Sequence, residues 1–294
     1  ILWSNVYDHN NLSDWGNSII EVSDGYWALG VASNGIRLMK TDLEGNLIAD
    51  HLFGYGYGNQ ILEADDGSLY LIGGGYDSEI DEYAILVVKT DDTGTELWRQ
   101  YLGVDSWGYG GLLNDNGEII IYGEEDGNAV VYALNLDGMN FDVVAFDNNM
   151  DRAKGIVKVD GGGYYIAFSK DYETKIIKTD NNFSEVADIT ISGYCRSISS
   201  ASDGNLLITL QIDENEHKVA KLEPSTGQDL WAETATGLYN SFQFGSNYYA
   251  LGHNDNGSLF LKLDEGGSII TSITFGSGIL SSYALTSDGG IIVT

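Results

Sequence analysis

The residues best suited to ligand chemistry are three aromatic side chains that each precede a glycine. They occur as Trp15-Gly16, Tyr57-Gly58 and Trp107-Gly108. A flat aromatic surface can stack on a sugar face, an aromatic group or a peptide side chain. The glycine lets the backbone turn sharply beside it. These residues therefore favour non-covalent binding over covalent chemistry.

The other reactive side chains form no pattern that predicts catalysis. The four His residues are scattered without metal-ligand spacing, and there is no G-x-S-x-G motif. The 44 acidic side chains leave a catalytic carboxylate pair open without pointing to one. Cys195 is the only cysteine, which favours a small buried residue over a reactive thiol. The sequence predicts no catalytic residue and no cofactor.

Three loops rich in oxygen ligands leave a surface Ca²⁺ site open. They span residues 77–82, 114–117 and 254–257 and consist mainly of Asp, Asn and Glu. None has the ligand spacing of an EF-hand loop. We therefore predict no dedicated metal centre and expect calcium at most as a surface ion.

Charge excludes two classes of partner. The net charge of −30 comes from 44 acidic and 14 basic side chains. Such a charge repels phosphate backbones and anionic lipid, so we expect neither nucleic acid nor a membrane surface as partner. No apolar run approaches the roughly 18 residues of a membrane helix, so no transmembrane segment is predicted. The start at Ile1, without a signal pattern, indicates a processed product or a fragment of a longer chain.

Two short markers recur along the chain and define a repeat. One marker is a turn of Asp-Gly type. The other marker, exemplified by Lys40-Thr41-Asp42, follows each of the first six of these turns. We expect its Lys to pair with acidic turns and its Asp to order the next turn. The mean spacing of about 44 residues is typical of a β-propeller blade. The first marker, the turn of Asp-Gly type, lies at residues 24–25, 66–67, 116–117, 161–162, 203–204, 246–247 and 288–289.

Each repeat predicts four short strands. In the first copy they span residues 18–23, 26–32, 35–41 and 47–53. Ile1-Leu2-Trp3-Ser4 matches the fourth-strand pattern, and the segment from Ser281 to Thr294 matches the first two strands. We therefore predict an all-β, seven-bladed β-propeller of four-stranded antiparallel blades, forming a single domain over residues 1–294. The N-terminal strand would close the ring by joining the C-terminal blade.

The repeat resembles a known family. Residues 92–98 (DTGTELW) and 225–231 (STGQDLW) are similar to the TG-x-x-LW stretch of quinoprotein-like (PQQ-type) propeller repeats. The fuller unit resembles secreted and cell-surface propellers of Bacteroidetes type. This implies a propeller that is extracellular, cell-surface or periplasmic, and implies little about activity. For the quinone-dependent enzymes of the family, the resemblance would imply eight blades. The repeats of this chain predict seven blades, and the chain has no vicinal Cys pair.

The repeat gives the aromatic residues a common position. Nine residues before each turn marker lies the start of a first strand, where two copies have Gly237 and Ile279. We expect the other five to encircle one mouth of the channel as candidate ligand-binding residues, or else to pack between blades. Those five carry a flat π-surface: Trp15, Tyr57, Trp107, Arg152 and Tyr194.

Four irregular segments are predicted to lie on the same face of the propeller as this channel mouth. They span residues 73–83, 124–128, 169–174 and 211–217. Loops that vary on a rigid repeated scaffold usually carry binding. We therefore predict a non-enzymatic extracellular or cell-surface binding module that recognises a protein or a glycan. The alternative is a carbohydrate-active hydrolase or lyase with carboxylates at the channel mouth. The second alternative is a structural subunit of a surface assembly.

Overall fold

Strands account for all regular secondary structure in the part of the chain that the structure describes, so the fold is all-β. The computed structural model describes residues 4–7, 14–33, 35–146, 151–276 and 280–294. The strands are β1 (Asp14–Val22), β2 (Gly25–Ala32), β3 (Gly35–Thr41), β4 (Leu47–Glu63), β5 (Leu69–Asp77), β6 (Glu82–Thr90), β7 (Glu96–Leu102), β8 (Ser106–Leu113), β9 (Glu118–Glu125), β10 (Asn128–Asn135), β11 (Phe141–Ala145), β12 (Arg152–Lys158), β13 (Tyr164–Lys170), β14 (Glu173–Thr179), β15 (Glu185–Ser192), β16 (Tyr194–Ser200), β17 (Leu206–Gln211), β18 (His217–Leu222), β19 (Asp229–Ala235), β20 (Leu238–Phe244), β21 (Asn247–Asn254), β22 (Gly257–Leu263), β23 (Ile269–Phe275), β24 (Tyr283–Leu285) and β25 (Ile291–Val293).

Four-stranded antiparallel sheets are the building block, as the repeat predicts. Strands β8–β11, β12–β15, β16–β19 and β20–β23 form one sheet each, with neighbours in chain order. Strands β1–β7 form a single seven-stranded sheet, and β24 and β25 form a hairpin. Short connections between antiparallel neighbours explain this order, because two to five residues suffice to reverse the chain.

The seven-stranded sheet exists because β4 serves two repeats. Its first part pairs with β3 and its second part pairs with β5. The sequence predicts a strand end at residue 53, but the strand continues through Gly54 and Gly56. Gly54 has a φ of 79°, a left-handed conformation that glycine adopts readily. The backbone therefore bends between the part of β4 that pairs with β3 and the part that pairs with β5, and both parts belong to one strand.

Two compact units make up the chain. Unit 1 comprises residues 1–127, 131–143 and 282–294, and unit 2 comprises residues 128–130 and 144–281. The first strands of the sheets lie side by side within each unit: β1, β4 and β8 in unit 1, and β12, β16 and β20 in unit 2. The single domain, the seven blades and the closed ring stay predictions.

The predicted C-terminal strands are present as the hairpin β24–β25 in unit 1. Ser287 donates its backbone N–H to the Glu21 carboxylate at 2.6 Å, which ties the hairpin to the first sheet of the same unit. Residues 1–3 of the predicted closing strand lie outside the described residues.

The two repeat markers form ordered turns. The Ala64 N–H donates to the Ser68 carbonyl at 2.9 Å, and Gly67 between them has a φ of 79°, which suits glycine. In the second marker, the Asp91 carboxylate accepts the N–H groups of Thr93 and Thr95, each at 2.9 Å. Such side-chain-to-backbone bonds stabilise a tight turn, which confirms the predicted role of this Asp.

The recurrent Lys has two roles. Lys40 forms an ion pair with Asp24 at 2.8 Å, and Lys221 forms one with Asp203 at 2.6 Å. These ion pairs confirm the predicted charge pairing at those two positions. The Lys also lies over an aromatic ring, with Nζ 5.5 Å from the Trp27 centroid for Lys40. Lys89, Lys178 and Lys262 make the same cation–π contact with a Tyr.

The cores lie between neighbouring sheets within each unit. In unit 1, Trp27, Leu38 and Leu71 are among the buried residues of one such core. In unit 2, Cys195 is packed with Ile208 and Leu210. Burial raises the pKa of the Cys195 thiol to about 12, so it stays protonated at neutral pH. The thiol is a buried apolar group, as the sequence predicts.

Candidate functional site

The first strand of each of six repeats contains a β-bulge at the same position. The register of the strand shifts by one residue, so one residue of the first strand has no partner on the second strand. A bulge bends the strand and re-aims the side chain at the extra position. Each bulge residue lies seven residues before its turn marker. The bulge residues are Asn17, Asn59, Tyr109, Lys154, Arg196 and Tyr239.

Two of the bulge residues in unit 1 fasten neighbouring first strands together. The Asn17 side-chain amide donates to the Gly58 carbonyl at 2.8 Å, and that of Asn59 donates to the Gly108 carbonyl at 2.7 Å. Each acceptor is the residue directly before the bulge residue of the neighbouring first strand. The role of these two asparagines is therefore structural.

An aromatic–acidic cluster lies beside these strands in unit 1. It consists of Tyr55, Tyr57, Tyr76, Tyr83 and Trp107, with the acidic loop 77–82. Trp107 stacks on Tyr83 with ring centroids 4.9 Å apart, and it meets Tyr57 at 5.9 Å. Tyr83 also contacts Tyr76 edge-on at 5.7 Å and Tyr55 at 6.3 Å. Offset and edge-on pairs of this kind are favourable for aromatic rings.

The Trp107 indole is seated on a glycine. A Cβ added to Gly74 would lie 2.5 Å from Trp107 Cε3, closer than any van der Waals contact allows. Gly74 is directly paired with Tyr57 in the β4–β5 ladder. The absence of a side chain at residue 74 therefore creates the space for the ring.

The rim of the cluster is exposed and negatively charged. Tyr55 is 54% exposed and Tyr76 is 37% exposed. The Tyr76 hydroxyl donates a hydrogen bond to the Asp81 carboxylate, which raises the pKa of Tyr76. Asp81 has a φ of 61°, a conformation that costs energy for a residue with a side chain. Glu124 lies opposite Trp107 in the β8–β9 ladder, so this ladder adds an acidic residue beside the cluster.

A basic–aromatic array lies at the first strands of unit 2. It consists of Lys154, Tyr194, Arg196, His217 and Tyr239. The Lys154 Nζ is 4.9 Å from the Tyr194 ring centroid. The Arg196 guanidinium lies between two rings, 5.5 Å from Tyr194 and 5.6 Å from Tyr239. The His217 ring is 6.1 Å from Tyr239. The array thus alternates cationic and aromatic groups across β12, β16 and β20.

His217 is the buried end of the array. Its Nδ1 accepts a hydrogen bond from the Gly237 N–H at 3.1 Å. Burial lowers the pKa of His217, and the positive charge of Arg196 lowers it further. His217 is therefore neutral at neutral pH, and the positive charge of the array comes from Lys154 and Arg196.

The structure divides the predicted site residues between the two units. In unit 1, Tyr57 and Trp107 are brought into contact, and Trp15 on β1 is 64% exposed. In unit 2, Tyr194 belongs to the basic–aromatic array, whereas Arg152 is the exposed first residue of β12 and pairs with Ser169. Their arrangement as one ring around a channel mouth stays a prediction. Ile279, which shares their repeat position, lies outside the described residues.

Sequence reasoning missed most of the residues that complete these two groups. Tyr55, Tyr76 and Tyr83 belong to the variable segment 73–83 or to the glycine-rich part of β4, and no repeat marks them. The bulge residues Lys154 and Arg196 have a signal, because they lie two residues after the predicted site position in their repeats. The same count gives Tyr239 in the repeat of β20.

An open groove lies at the other end of the first strands of unit 2. It has a volume of about 490 Å³ and is lined by residues at the ends of β12, β16 and β20 and in the turns that follow, including Asp160, Ser202 and Gln243. The Gln243 side chain accepts the Ser202 N–H at 2.6 Å, so a structural hydrogen bond joins two of the residues that line this groove. It carries none of the aromatic or cationic groups of the array.

In the described ranges, no three His, Cys, Asp or Glu side chains converge as a metal-binding group would. A surface Ca²⁺ ion stays an expectation from the sequence. Within the same ranges, no helix has the length and apolar character needed to span a bilayer.

Similarity to solved structures identifies the fold as that of the β-propellers. A catalytically inactive variant of virginiamycin B lyase from Staphylococcus aureus with quinupristin superposes with a TM-score of 0.73 and 13% identity, covering 98% of this chain and 94% of that chain. The Dos1 propeller has a TM-score of 0.67 and 12% identity, covering 97% and 79%. A protein of unknown function from Bacteroides caccae has a TM-score of 0.61 and 13% identity, covering 89% and 98%.

These similarities carry the fold and nothing finer. No family model matches the chain, and no curated protein matches it in sequence. At identities of 12–13%, propellers share a scaffold while their binding residues differ. The function must therefore be argued from the side chains of this chain.

Proposed function

We propose that the protein is a non-enzymatic binding module, and that the aromatic–acidic cluster of unit 1 binds a Lys or Arg side chain of a protein partner. The observation that carries this proposal is the joint exposure of Tyr55 and Tyr76 beside the carboxylates of loop 77–82. Aromatic faces attract cations through their quadrupole, and carboxylates add direct charge attraction.

A cationic ligand is favoured over a neutral glycan by the charge around the cluster. Of the 44 acidic side chains, 27 lie in residues 1–151, against only four of the 14 basic ones. Such a field steers a basic protein towards the cluster but gives no advantage to an uncharged sugar. The location outside the cytoplasm that the resemblance to secreted propellers implies is part of this proposal.

The experiment compares ring-keeping and ring-removing variants at constant charge. The probe is a short oligo-lysine peptide, with dissociation constants measured by calorimetry at low and physiological salt. Replacing Tyr55 and Tyr76 together by Leu removes two π-faces and is expected to weaken binding about tenfold, as cation–π contacts of about 0.5–2 kcal/mol each imply. Replacing both by Phe keeps the faces and is the matched control.

Two outcomes would contradict the proposal. Equal affinities for the Leu and Phe variants would show that the peptide is held only by the general negative charge. Saturable binding of a neutral oligosaccharide that the Leu variant loses would instead assign the cluster to glycans. Tyr172→Leu, at an exposed tyrosine of unit 2, should leave both measurements unchanged.

We also propose the finer architecture of seven blades with PQQ-type repeats and a ring closed by the N-terminal strand. It is supported by the seven turn markers and by the attachment of the C-terminal hairpin to the first sheet of unit 1. Deleting residues 1–4 should then lower the melting temperature by several degrees, because the edge of a blade would lose its pairing strand. An unchanged melting temperature would contradict ring closure.

A further inference from the structure

We propose that the basic–aromatic array of unit 2 is a second binding site, which takes the carboxylate of a small, singly charged molecule. The proposal is independent of the one for unit 1, since it involves other strands and the opposite ligand charge. It rests on the bulges of β12, β16 and β20, on the environment of Arg196, and on the charge of the whole chain.

The bulges bring the cationic groups of two repeats to one place. Lys154 and Arg196 are the bulge residues of β12 and β16, which lie side by side. Tyr239 is the unpaired residue of β20, the next strand along. Because a bulge residue is released from the alternation of the strand, its side chain can point where regular pairing would not allow. Three successive bulges thus build one array.

Arg196 is held in place without being neutralised. Its guanidinium lies between the rings of Tyr194 and Tyr239 and donates to the Gln211 side-chain oxygen. Among the described residues, no carboxylate oxygen lies within 4.0 Å of it. Arg37, by contrast, is bound by two carboxylates, those of Asp14 and Asp50.

The chemistry of the array matches a carboxylate. An arginine presents several N–H donors in a planar fork, which fits the two oxygens of a carboxylate. The exposed position of Arg196 leaves the guanidinium accessible, and the neighbouring Lys154 adds a second positive charge. The flanking tyrosine rings hold the guanidinium by cation–π contact and offer apolar edges to the rest of the ligand.

A single negative charge is favoured over a multiple one. The net charge of −30 repels every anion, and this long-range repulsion grows with the charge of the ligand. A phosphate near pH 7 bears more charge than a carboxylate and is repelled more strongly. The carboxylate could belong to a sugar acid or to a simple hydroxy acid, which offer the array the same group.

The test measures binding of sodium D-glucuronate and sodium L-lactate to the whole chain by titration calorimetry. At least one of them should bind saturably, whereas D-glucose, which lacks the carboxylate, should not. Arg196→Gln should weaken the binding about tenfold or more, as expected for loss of a charge-assisted hydrogen bond. Arg196→Lys, which keeps the charge but not the fork, should fall between the two.

The matched control is Lys218→Gln, which removes a positive charge of the same unit outside the array, at a residue paired with Asp229. Its affinity should equal that of the unchanged protein. A preference for D-glucuronate assigns the ligand to sugar acids, and a preference for L-lactate assigns it to simple acids. The proposal is overturned if neither carboxylate binds, if Arg196→Gln binds as well as the unchanged protein, or if inorganic phosphate binds more tightly. Circular dichroism of each variant verifies that it is folded.

Discussion

The first strands of unit 1 and of unit 2 share one backbone feature, the β-bulge, but carry different side chains at the bulge. In unit 1 the bulge residues Asn17 and Asn59 hydrogen-bond to the neighbouring strand. In unit 2 the bulge residues Lys154 and Arg196 lie over tyrosine rings. The backbone is repeated because the fold needs it, while the side chains at the bulge are free to specialise.

The two units differ in charge as well as in contacts. Ten of the 14 basic side chains lie after residue 151. In the unit 1 cluster the Tyr76 hydroxyl contacts the Asp81 carboxylate, whereas Tyr194 and Tyr239 in unit 2 contact the cations Lys154 and Arg196. Rings of the same kind can thus serve opposite ligands, since the charge beside a ring decides which ligands can approach it.

The largest expected effect tests the packing of the aromatic–acidic cluster. Gly74→Val places a Cβ 2.5 Å from Trp107 Cε3, so it should lower the free energy of unfolding by up to about 3 kcal/mol through overpacking. Denaturant unfolding measures the change. Gly266→Ala is the matched control, because its added Cβ meets no backbone atom and only the Asp264 carboxylate at 3.4 Å. Equal stability of the two variants would mean that Trp107 is not seated on residue 74.

The next effect concerns the support of Tyr194 in unit 2. The Thr174 hydroxyl donates to the Gly193 carbonyl at 2.6 Å and accepts the Cys195 N–H at 3.0 Å, which fixes both neighbours of Tyr194. Thr174→Val keeps the shape but leaves the carbonyl unsatisfied, so we expect a loss of about 1–2 kcal/mol. Thr190→Val, at an exposed residue of β15, should cost little. A loss no greater in Thr174→Val than in Thr190→Val would contradict this support.

A smaller effect separates the structural bulge from the binding bulge. Asn17→Ala removes a partly buried hydrogen bond to Gly58 and should cost about 1 kcal/mol. Arg196→Ala removes an exposed side chain that no carboxylate of the described residues neutralises and should stay within about 0.5 kcal/mol. Both are measured by denaturant unfolding. If Arg196→Ala were the more costly change, the contrast between the two units would fail.

The smallest effect is a dependence of stability on pH that arises from His217. The pKa of His217 is lowered in the folded state from the usual 6.5, so protons bind more readily to the unfolded chain. This contribution to stability is present above about pH 6.5 and is lost as the pH falls towards the folded pKa. His217→Gln should therefore lose less stability than the unchanged protein between pH 7.5 and 5.5. Parallel curves for the two proteins would contradict the shift.

Much of the fold could be predicted because its signals are local. Gly67 adopts a positive φ within a turn of a few residues, and the Asp91 carboxylate accepts N–H groups two and four residues further on. The strands between such turns follow from the same residues. The boundary between the first two repeats was wrong, because Gly54 and Gly56 let β4 run on where a break was predicted.

The candidate sites could be predicted only in part. Tyr57, Trp107 and Tyr194 were found because a turn marker fixes their place in the repeat. Tyr76 and Tyr83 were not found, because they are paired across the β5–β6 ladder. The length of this ladder depends on the irregular loop 77–82. Arg196 was missed because a bulge adds one residue to the strand, and this changes which side chains share a face.

The sequence by itself determined the repeated four-stranded sheet, the positions of the turns and the burial of Cys195, because each depends on short-range backbone preference or on side-chain polarity. Only the tertiary structure decided which residues from separate repeats meet. Arg196 and Tyr239 lie one repeat apart in the chain, yet they are in contact because β16 and β20 lie side by side. The spacing of residues along the chain cannot give that contact, since it depends on how one sheet packs against the next.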